Sequence, residues 1–508
     1  MSQAAPHGST SVWLPPDGLP DLGPLNEDTR ADVCIVGAGI AGLTTAYLLE
    51  RAGKKTVVLE AGEVGSGETG RTTAHLASAL DDYYHRLEQL HGEQGARLAA
   101  ESHRAAIDRI EAIARAEHIA CDFERLDGYL FVPPGESTSI LDRELDAARR
   151  AGLEVERVRR APLTTFDTGA ALRFAHQGQF HPMKYLSGLA TALRRLGGRI
   201  FVRSRVDKFE GGTPAQATTH AGHTVQADAL VVATNTPVND WVTMHTKQFP
   251  YRSYAIALRV PRGSVPRALY WDTAEPYHYV RLQCHTDADD YLIVGGEDHK
   301  TGQAHDTDER FSRLYAWAKE RFPEAPSPEF CWSGQIMEPM DSLAYIGHNP
   351  GDEPNVFIAT GDSGHGMTHS TIAGMLLTDL ITGKENAWTA LYEPSRKTLR
   401  SAWTFLKENL NTAVQYVDWL TPGEVRSVDD IKPGDAAVMR RGLHKVAVYR
   451  DEAGRVHKVS ATCSHLGCVV DWNPTEKTWD CPCHGSRFDV RGKVVNGPAL
   501  TGLERLEE

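Results

Sequence analysis

Four of the eight cysteines crowd the last fifty residues, in CSHLGC (Cys463–Cys468) and CPCHGS (Cys481–Ser486). Thiolates and neutral imidazoles are metal ligands, and Cys463-x-His465 followed after fifteen residues by Cys481-x-x-His484 offers two of each. Such a set can hold zinc in a tetrahedron, or iron and sulfide with mixed ligation. Nearly 430 residues earlier, VCIVGAGIAG carries Gly37, Gly39 and Gly42 as G-x-G-x-x-G. The first glycine permits a tight turn, the second lets backbone approach a pyrophosphate, and the third lets a helix pack on its strand. Ile40 and Ala41 open that helix, whose free N–H groups and positive end suit phosphates. Glu60, followed by Ala61, lies eighteen residues past Gly42, where a carboxylate can take both hydroxyls of an adenosine ribose.

These residues need elements to position them. ADVCIVGAG reads as an apolar strand, IAGLTTAYLLERAG as an amphipathic helix closed by Gly53, and KTVVLEAG as a second strand, which together make a βαβ unit. Tyr83 to Arg150 reads as largely helical, because EQGARLAAESHRAAIDRIEAIARAEH spaces apolar residues by three and four. Tyr251 to Gly296 reads as strand-rich. ADALVVATNTP reads as a buried strand ending at Ala233 and Thr234. NVFIATGDSGHGMTHSTIAGMLLTDLITG reads as a strand, a glycine-rich turn and a helix beginning just after His369. SRKTLRSAWTFLKENL reads as a further helix, and the tail from about Thr421 as all-β. The scattered Cys34, Cys121, Cys284 and Cys331 read as small buried hydrophobes.

The length of 508 residues suggests two or three domains. A net charge of -13 disfavours nucleic acid and anionic membrane surfaces, which need a basic face. No apolar run is long enough for a transmembrane helix, although peripheral membrane contact stays open. The N-terminal stretch reads as an extended arm and not a secretory signal, so the expected location is the cytoplasm. There, clustered cysteines point to metal before a disulfide framework.

Three stretches turn the nucleotide site toward FAD: EVGSGETGRTTAHLASAL after Glu60, VVATNTP in mid-chain and ATGDSGHGMTHSTIAG near residue 360. Together they resemble the FAD-dependent amine oxidoreductases of the D-amino-acid oxidase, glycine oxidase and sarcosine oxidase superfamily. The resemblance implies an α/β, Rossmann-like FAD-binding domain with an α+β substrate domain of antiparallel sheet. It places Arg71, Thr72, Thr73 and Ala74 along the pyrophosphate and isoalloxazine, Val206 at the adenine, and Ala233 and Thr234 at the cofactor. Gly361 and Asp362 map to the ribitol and phosphates, and Gly364, His365, Gly366, Met367 and Thr368 to the flavin ring.

The tail motifs resemble the Rieske proteins of quinol-oxidising complexes, in which two His replace two Cys on one iron of a [2Fe-2S] cluster. The resemblance assigns Cys463 and Cys481 to one iron, His465 and His484 to the other, and Cys468–Cys483 to a disulfide bracing the loops. The quinol-oxidising members continue C-P-C-H-G-S-x-Y; here Ser486 is kept but Phe488 stands at the tyrosine position, which predicts a lower potential. The resulting plan is an N-terminal arm at 1–30, an oxidoreductase domain at 31–420 and an all-β Rieske domain at 421–508. Within 31–420, the FAD-binding parts are about 31–82, 180–240 and 340–410, and the substrate parts about 83–179 and 241–339.

A flavin takes a hydride and a [2Fe-2S] cluster one electron, so the pairing suggests a dehydrogenase acting on the C–N bond of an amine or amino acid. Electrons would leave singly to a cytochrome, ferredoxin or quinone-linked carrier. The alternatives are a reductase fed through the Rieske centre, an oxygen-using oxidase with the tail as a docking module, and a redox sensor without turnover. In the sarcosine oxidases a lysine over the flavin activates oxygen; the matching position falls near Ile293, which predicts weak oxygen reactivity. Substrate-site candidates are Arg252, Tyr254, Tyr279 and Arg281, where an arginine could clamp a carboxylate or else face solvent from its strand. His365, in the flavin-edge turn, is the first catalytic candidate, with Tyr254 and Arg252 behind it.

Overall fold

The computed structural model describes residues 9–13, 19–239, 243–304, 306–397, 409, 411–412, 415, 419, 422–442 and 444–506. The helix expected over SRKTLRSAWTFLKENL falls largely outside these residues, as does Thr421. Six strands form the first sheet, in the order Tyr345–His348, Val356–Thr360, Ala229–Val232, Val33–Val36, Thr56–Leu59 and Arg199–Phe201. All pair in parallel except Tyr345–His348, which runs antiparallel to its neighbour. The runs VCIV, TVVL and ALVV are buried at every position, as a parallel sheet covered on both faces requires. Helices Ile40–Arg51 and Gly366–Ile381 pack together so closely that a Cβ on Gly374 would come 2.6 Å from Thr44 Cγ2.

A larger mixed sheet of nine strands stands beside it, with Phe330–Pro339, Gln248–Pro261, Asp289–Lys300 and His278–Cys284 as consecutive antiparallel neighbours. Between Tyr83 and Arg150 the structure departs from the all-helical expectation. Helices Tyr84–Ala116 and Ser139–Arg150 flank a strand, Glu124–Phe131. That strand is held by partners far away in sequence, Leu269–Asp272 in parallel and Ala171–Gln179 antiparallel, which local periodicity does not reveal. The glycine-turn helix also begins at Gly366, before His369 and not after it. Cys34, Cys121 and Cys331 are buried as expected, but Cys284 is exposed at a strand end, where Arg262 contacts its sulfur.

The tail is two small antiparallel sheets, one of Asp435–Arg441, His444–Arg450 and Val456–Ser460, the other of Asp471–Asn473, Thr478–Asp480, Arg487–Asp489 and Val494–Asn496. Trp472, Trp479, Phe488 and Val459 pack between them with the four tail cysteines. No helix among the described residues is long and apolar enough to cross a membrane.

Candidate functional site

A cavity of about 490 Å³ opens at the C-terminal ends of the parallel strands, the place where open α/β sheets bind ligands. Its glycines are required by close approach. A Cβ on Gly42 would lie 1.9 Å from the Gly37 carbonyl oxygen, and one on Gly37, at φ +111°, would lie 2.3 Å from the Ala233 oxygen. Glu60 is fixed beside this turn. Its two carboxylate oxygens accept the N–H groups of Ala38 (2.7 Å) and Gly62 (2.8 Å). Burial pushes its carboxyl upward against these donors. Across the cavity, Gly364, Gly366 and Met367 put the positive end of helix Gly366–Ile381 at the wall. Burial raises the Asp362 carboxyl there to about 6, while Met337 N–H donates to it (3.2 Å).

Of the residues expected at the cofactor, Gly37, Gly39, Ile40, Ala41, Glu60, Ala61, Arg71, Thr72, Thr73, Val206, Ala233, Thr234, Gly361, Asp362, Gly364, Gly366 and Met367 line the cavity. Gly42, Ala74, His365 and Thr368 do not line it. Gly42 serves helix packing, and Ala74 is fully buried with its carbonyl accepting from Arg281. Arg71 lines the cavity, but its guanidinium donates to Glu476 (3.0 Å) and to the Ser333 carbonyl (3.0 Å).

The catalytic candidates fare differently from one another. The His365 ring is turned out of the cavity, with Nε2 accepting the Asp81 N–H (2.9 Å). The histidine of this motif that lines the cavity is His369, which sequence reasoning passed over. Its Nδ1–H must donate, because its partner is the Asp362 carbonyl (2.8 Å), so its Nε2 accepts from His103 Nε2 (3.2 Å). Burial, reinforced by His365, holds His369 at about 3 and therefore neutral. Tyr254 lines the cavity, with its hydroxyl committed to His299 Nε2 (2.9 Å). Tyr279 also lines it, bonded to Ser253 (2.9 Å).

Neither arginine lies on a solvated face, and neither lines the cavity. Arg281 is 1% exposed and donates to the carbonyls of Thr73 (3.1 Å), Ala74 (2.8 Å) and Phe180 (3.1 Å), bracing the loop behind the cavity. Arg252 is 0% exposed and bonds Ser333 Oγ (2.6 Å). Side-chain direction along a strand depends on register, which the sequence left open. Ile293 is fully buried in the core and does not line the cavity, so it lends no support to weak oxygen reactivity.

In the tail, Cys463 and Cys481 are buried side by side, and hydrogen bonding from Cys481 pulls the Cys463 thiol below its usual range. The backbone of His465 and Leu466 and the Ser486 hydroxyl add to the same downward pull on that thiol. The rings of His465 and His484 stand 5.1 Å apart, and His484 Nδ1 is buried with no hydrogen-bond partner. Sγ atoms of Cys468, Cys481 and Cys483 lie within 4.8 Å of one another; the Cys468–Cys483 disulfide consumes two of them and leaves the Cys481 thiol free. Two thiols and two imidazoles with a buried vacant lone pair fit mixed-ligand iron–sulfur binding.

The tail docks on the cavity's own wall. Gln335, a lining residue, donates from Nε2 to the Gly485 carbonyl (3.1 Å), next to His484. A Cβ on Gly485 would lie 2.6 Å from both Gln335 Nε2 and Pro250 Cβ. Glu476, on the turn before Thr478–Asp480, meets Arg71 at 3.0 Å, Arg487 at 3.4 Å and Arg252 at 3.6 Å, and accepts from Ser333. His245 presents its ring to His465 (4.8 Å between centroids) and His484 (5.6 Å).

The chain matches the FAD dependent oxidoreductase family over residues 32–380 and the Rieske [2Fe-2S] domain over residues 421–507. It is 31% identical over 502 residues to YhfW of Bacillus subtilis (strain 168), named as a Rieske 2Fe-2S iron-sulfur protein, covering 98% of this chain and 97% of that one. It is 27% identical over 399 residues to gamma-glutamylputrescine oxidoreductase of Escherichia coli (strain K12), covering 75% and 92%. Its fold is similar to that of glycine oxidase from Geobacillus kaustophilus, with a TM-score of 0.60 at 19% identity over 72% and 99% of the two chains. The oxidoreductase domain implies FAD and the Rieske domain a [2Fe-2S] cluster. The chain belongs to the FAD-dependent oxidoreductase family and carries a Rieske [2Fe-2S] domain behind its oxidoreductase domain.

Proposed function

We propose that the chain is a dehydrogenase that oxidises the C–N bond of an amine or amino acid and sends the electrons one at a time through its Rieske domain to an external cytochrome, ferredoxin or quinone-linked carrier. The observation that carries this reading is Gln335, which faces the FAD cavity and bonds the loop that bears Cys481 and His484. When bound, FAD takes a hydride and the [2Fe-2S] cluster takes single electrons. The chain's own groups supply position and charge. Tyr279 and Ser253 offer hydroxyls at the cavity wall. Behind Gly364 stands Asp81, whose Oδ2 lies 3.1 Å from where a glycine Cβ would be and accepts the Tyr277 hydroxyl (3.4 Å). Because Arg252 and Arg281 are buried behind the wall and do not line the cavity, neither is placed to grip a substrate carboxylate.

The test needs no substrate. The flavin is photoreduced without oxygen, one electron equivalent at a time, while low-temperature EPR follows the cluster. A Rieske-type signal growing as flavin electrons disappear is the expected result. Fully reduced flavin beside an oxidised cluster would overturn the relay.

A further inference from the structure

The strand Val494–Asn496 and the turn after it belong to the Rieske domain, yet Lys493, Val494, Val495, Asn496, Gly497 and Leu500 line the FAD cavity. This stretch is tied to both domains. On one side Ser486, next to the cluster loop, accepts the Ala499 N–H (3.0 Å). On the other, Arg205 donates to the carbonyls of Ala499 (3.4 Å) and Leu500. Arg205 precedes Val206, and the two line the cavity with Glu60 and Ala61. Ser204 N–H bonds the Glu60 carbonyl (2.7 Å), so this wall and the ribose acid are one unit. A Cβ on Gly497 would lie 2.8 Å from Val238 Cγ1, which brings the turn against the oxidoreductase domain.

Val495 is 54% exposed, the one large hydrophobic side chain left in the open among the described residues. An isolated exposed valine is ordinary on a surface. This one lines the same cavity as Glu60 and Val206, the residues that the family resemblance assigns to the adenosine half of FAD. An apolar methyl pair there suits the face of a purine, whose burial removes both surfaces from water.

We propose that the Rieske domain completes the FAD site: Val495 packs on the adenosine end of FAD, opposite Glu60 and Val206, so that cofactor retention and Rieske docking are coupled. Coupling of this kind is reciprocal, so bound FAD tightens the docked Rieske domain by the same factor by which docking tightens FAD. The inference rests on FAD occupying the cavity and is independent of which substrate or carrier is used.

The test uses the full-length chain with its cluster in place. Apoprotein free of flavin is titrated with FAD, and binding is followed by quenching of flavin fluorescence, for the wild type, Val495→Asp and Val495→Leu. Cluster content and visible circular dichroism report whether the Rieske domain is intact. The expected result is FAD binding about tenfold weaker in Val495→Asp, retained in Val495→Leu, with one cluster per chain throughout. In the wild type, FAD also raises the urea midpoint at which the cluster's circular dichroism is lost, and it does so less in Val495→Asp. An FAD affinity within twofold of wild type in Val495→Asp with the cluster intact, or a cluster midpoint indifferent to FAD, would overturn the proposal. Failure of the electron relay in the EPR experiment would leave both readouts unchanged.

Discussion

Replacing Glu476 by glutamine removes a negative charge that three guanidiniums share across the domain junction, while keeping the size of the side chain. The Glu476 side chain is 3% exposed, and Arg252 and Arg487 beside it are buried still further. Burial alone would raise its carboxyl; Arg252, Arg71 and Arg487 overcome that and hold it at about 2, against an ordinary 4.5. At 1.36 kcal/mol per unit the difference corresponds to roughly 3 kcal/mol of stability. That agrees with the roughly 3–5 kcal/mol lost when a buried ion pair loses one partner. The sign follows from the depressed value. The contribution is fully present above the unfolded-state value near 4.5 and is lost as the pH falls toward about 2. The assay is urea unfolding followed by the cluster's circular dichroism, at pH 7 and in steps down toward pH 4 and below. Glu476→Gln is expected to lower the stability of the docked Rieske domain by roughly 3 kcal/mol at pH 7 and to flatten its acid dependence. A variant within about 0.5 kcal/mol of wild type, with the same acid profile, would show that the arginines find other partners and that the junction does not depend on this charge.

Phe488→Tyr should raise the cluster potential by adding a hydroxyl donor near the cluster, because Phe488 is fully buried in register with Trp479. A charge-assisted hydrogen bond of roughly 1.5–3 kcal/mol corresponds to about 60–130 mV for one electron, and an unchanged voltammogram would count against the reading. Gly42→Ala should yield protein without FAD, since its Cβ would lie 1.9 Å from the Gly37 oxygen; a full flavin absorbance in the purified variant would refute that geometry.

Legibility in the sequence followed the range of the forces. The βαβ unit was readable because its signals are local: an apolar run, three glycines whose spacing is set by backbone contact, and an acid at the next strand's end. The Rieske domain was readable because few chemistries need two Cys and two His at that spacing. What failed was long-range. Glu124–Phe131 is a strand because of partners well over a hundred residues further on and about fifty residues on, and nothing within it says so. Arg252 and Arg281 looked like substrate clamps or surface residues because a sequence gives a strand's alternation but not which face meets a neighbour. His369 was missed beside His365 because His365 stands just before the helix and His369 one turn inside it, and the partners that fix the two rings, Asp81 and His103, come from a distant segment.

The junction is built in a way that fixes orientation more than it adds affinity. Its contacts include a glycine approach of Gly485 to Pro250 and Gln335, another of Gly302 to Pro482, the Arg205 bonds to Ala499 and Leu500, and the charge set around Glu476. Apolar surfaces can slide by an ångström at small cost. A buried carboxylate shared by three guanidiniums cannot, because each displaced position leaves uncompensated charge in a medium that screens poorly. The glycine contacts have the same all-or-none character, since a shift in one direction is a clash and in the other a lost hydrogen bond. The Glu476 charge set and the bond from Gln335 to Gly485 together hold the Cys481–Ser486 loop beside the cavity wall. Glu476 is thus a positioning residue, one of several contacts that fix where that loop stands relative to the FAD cavity.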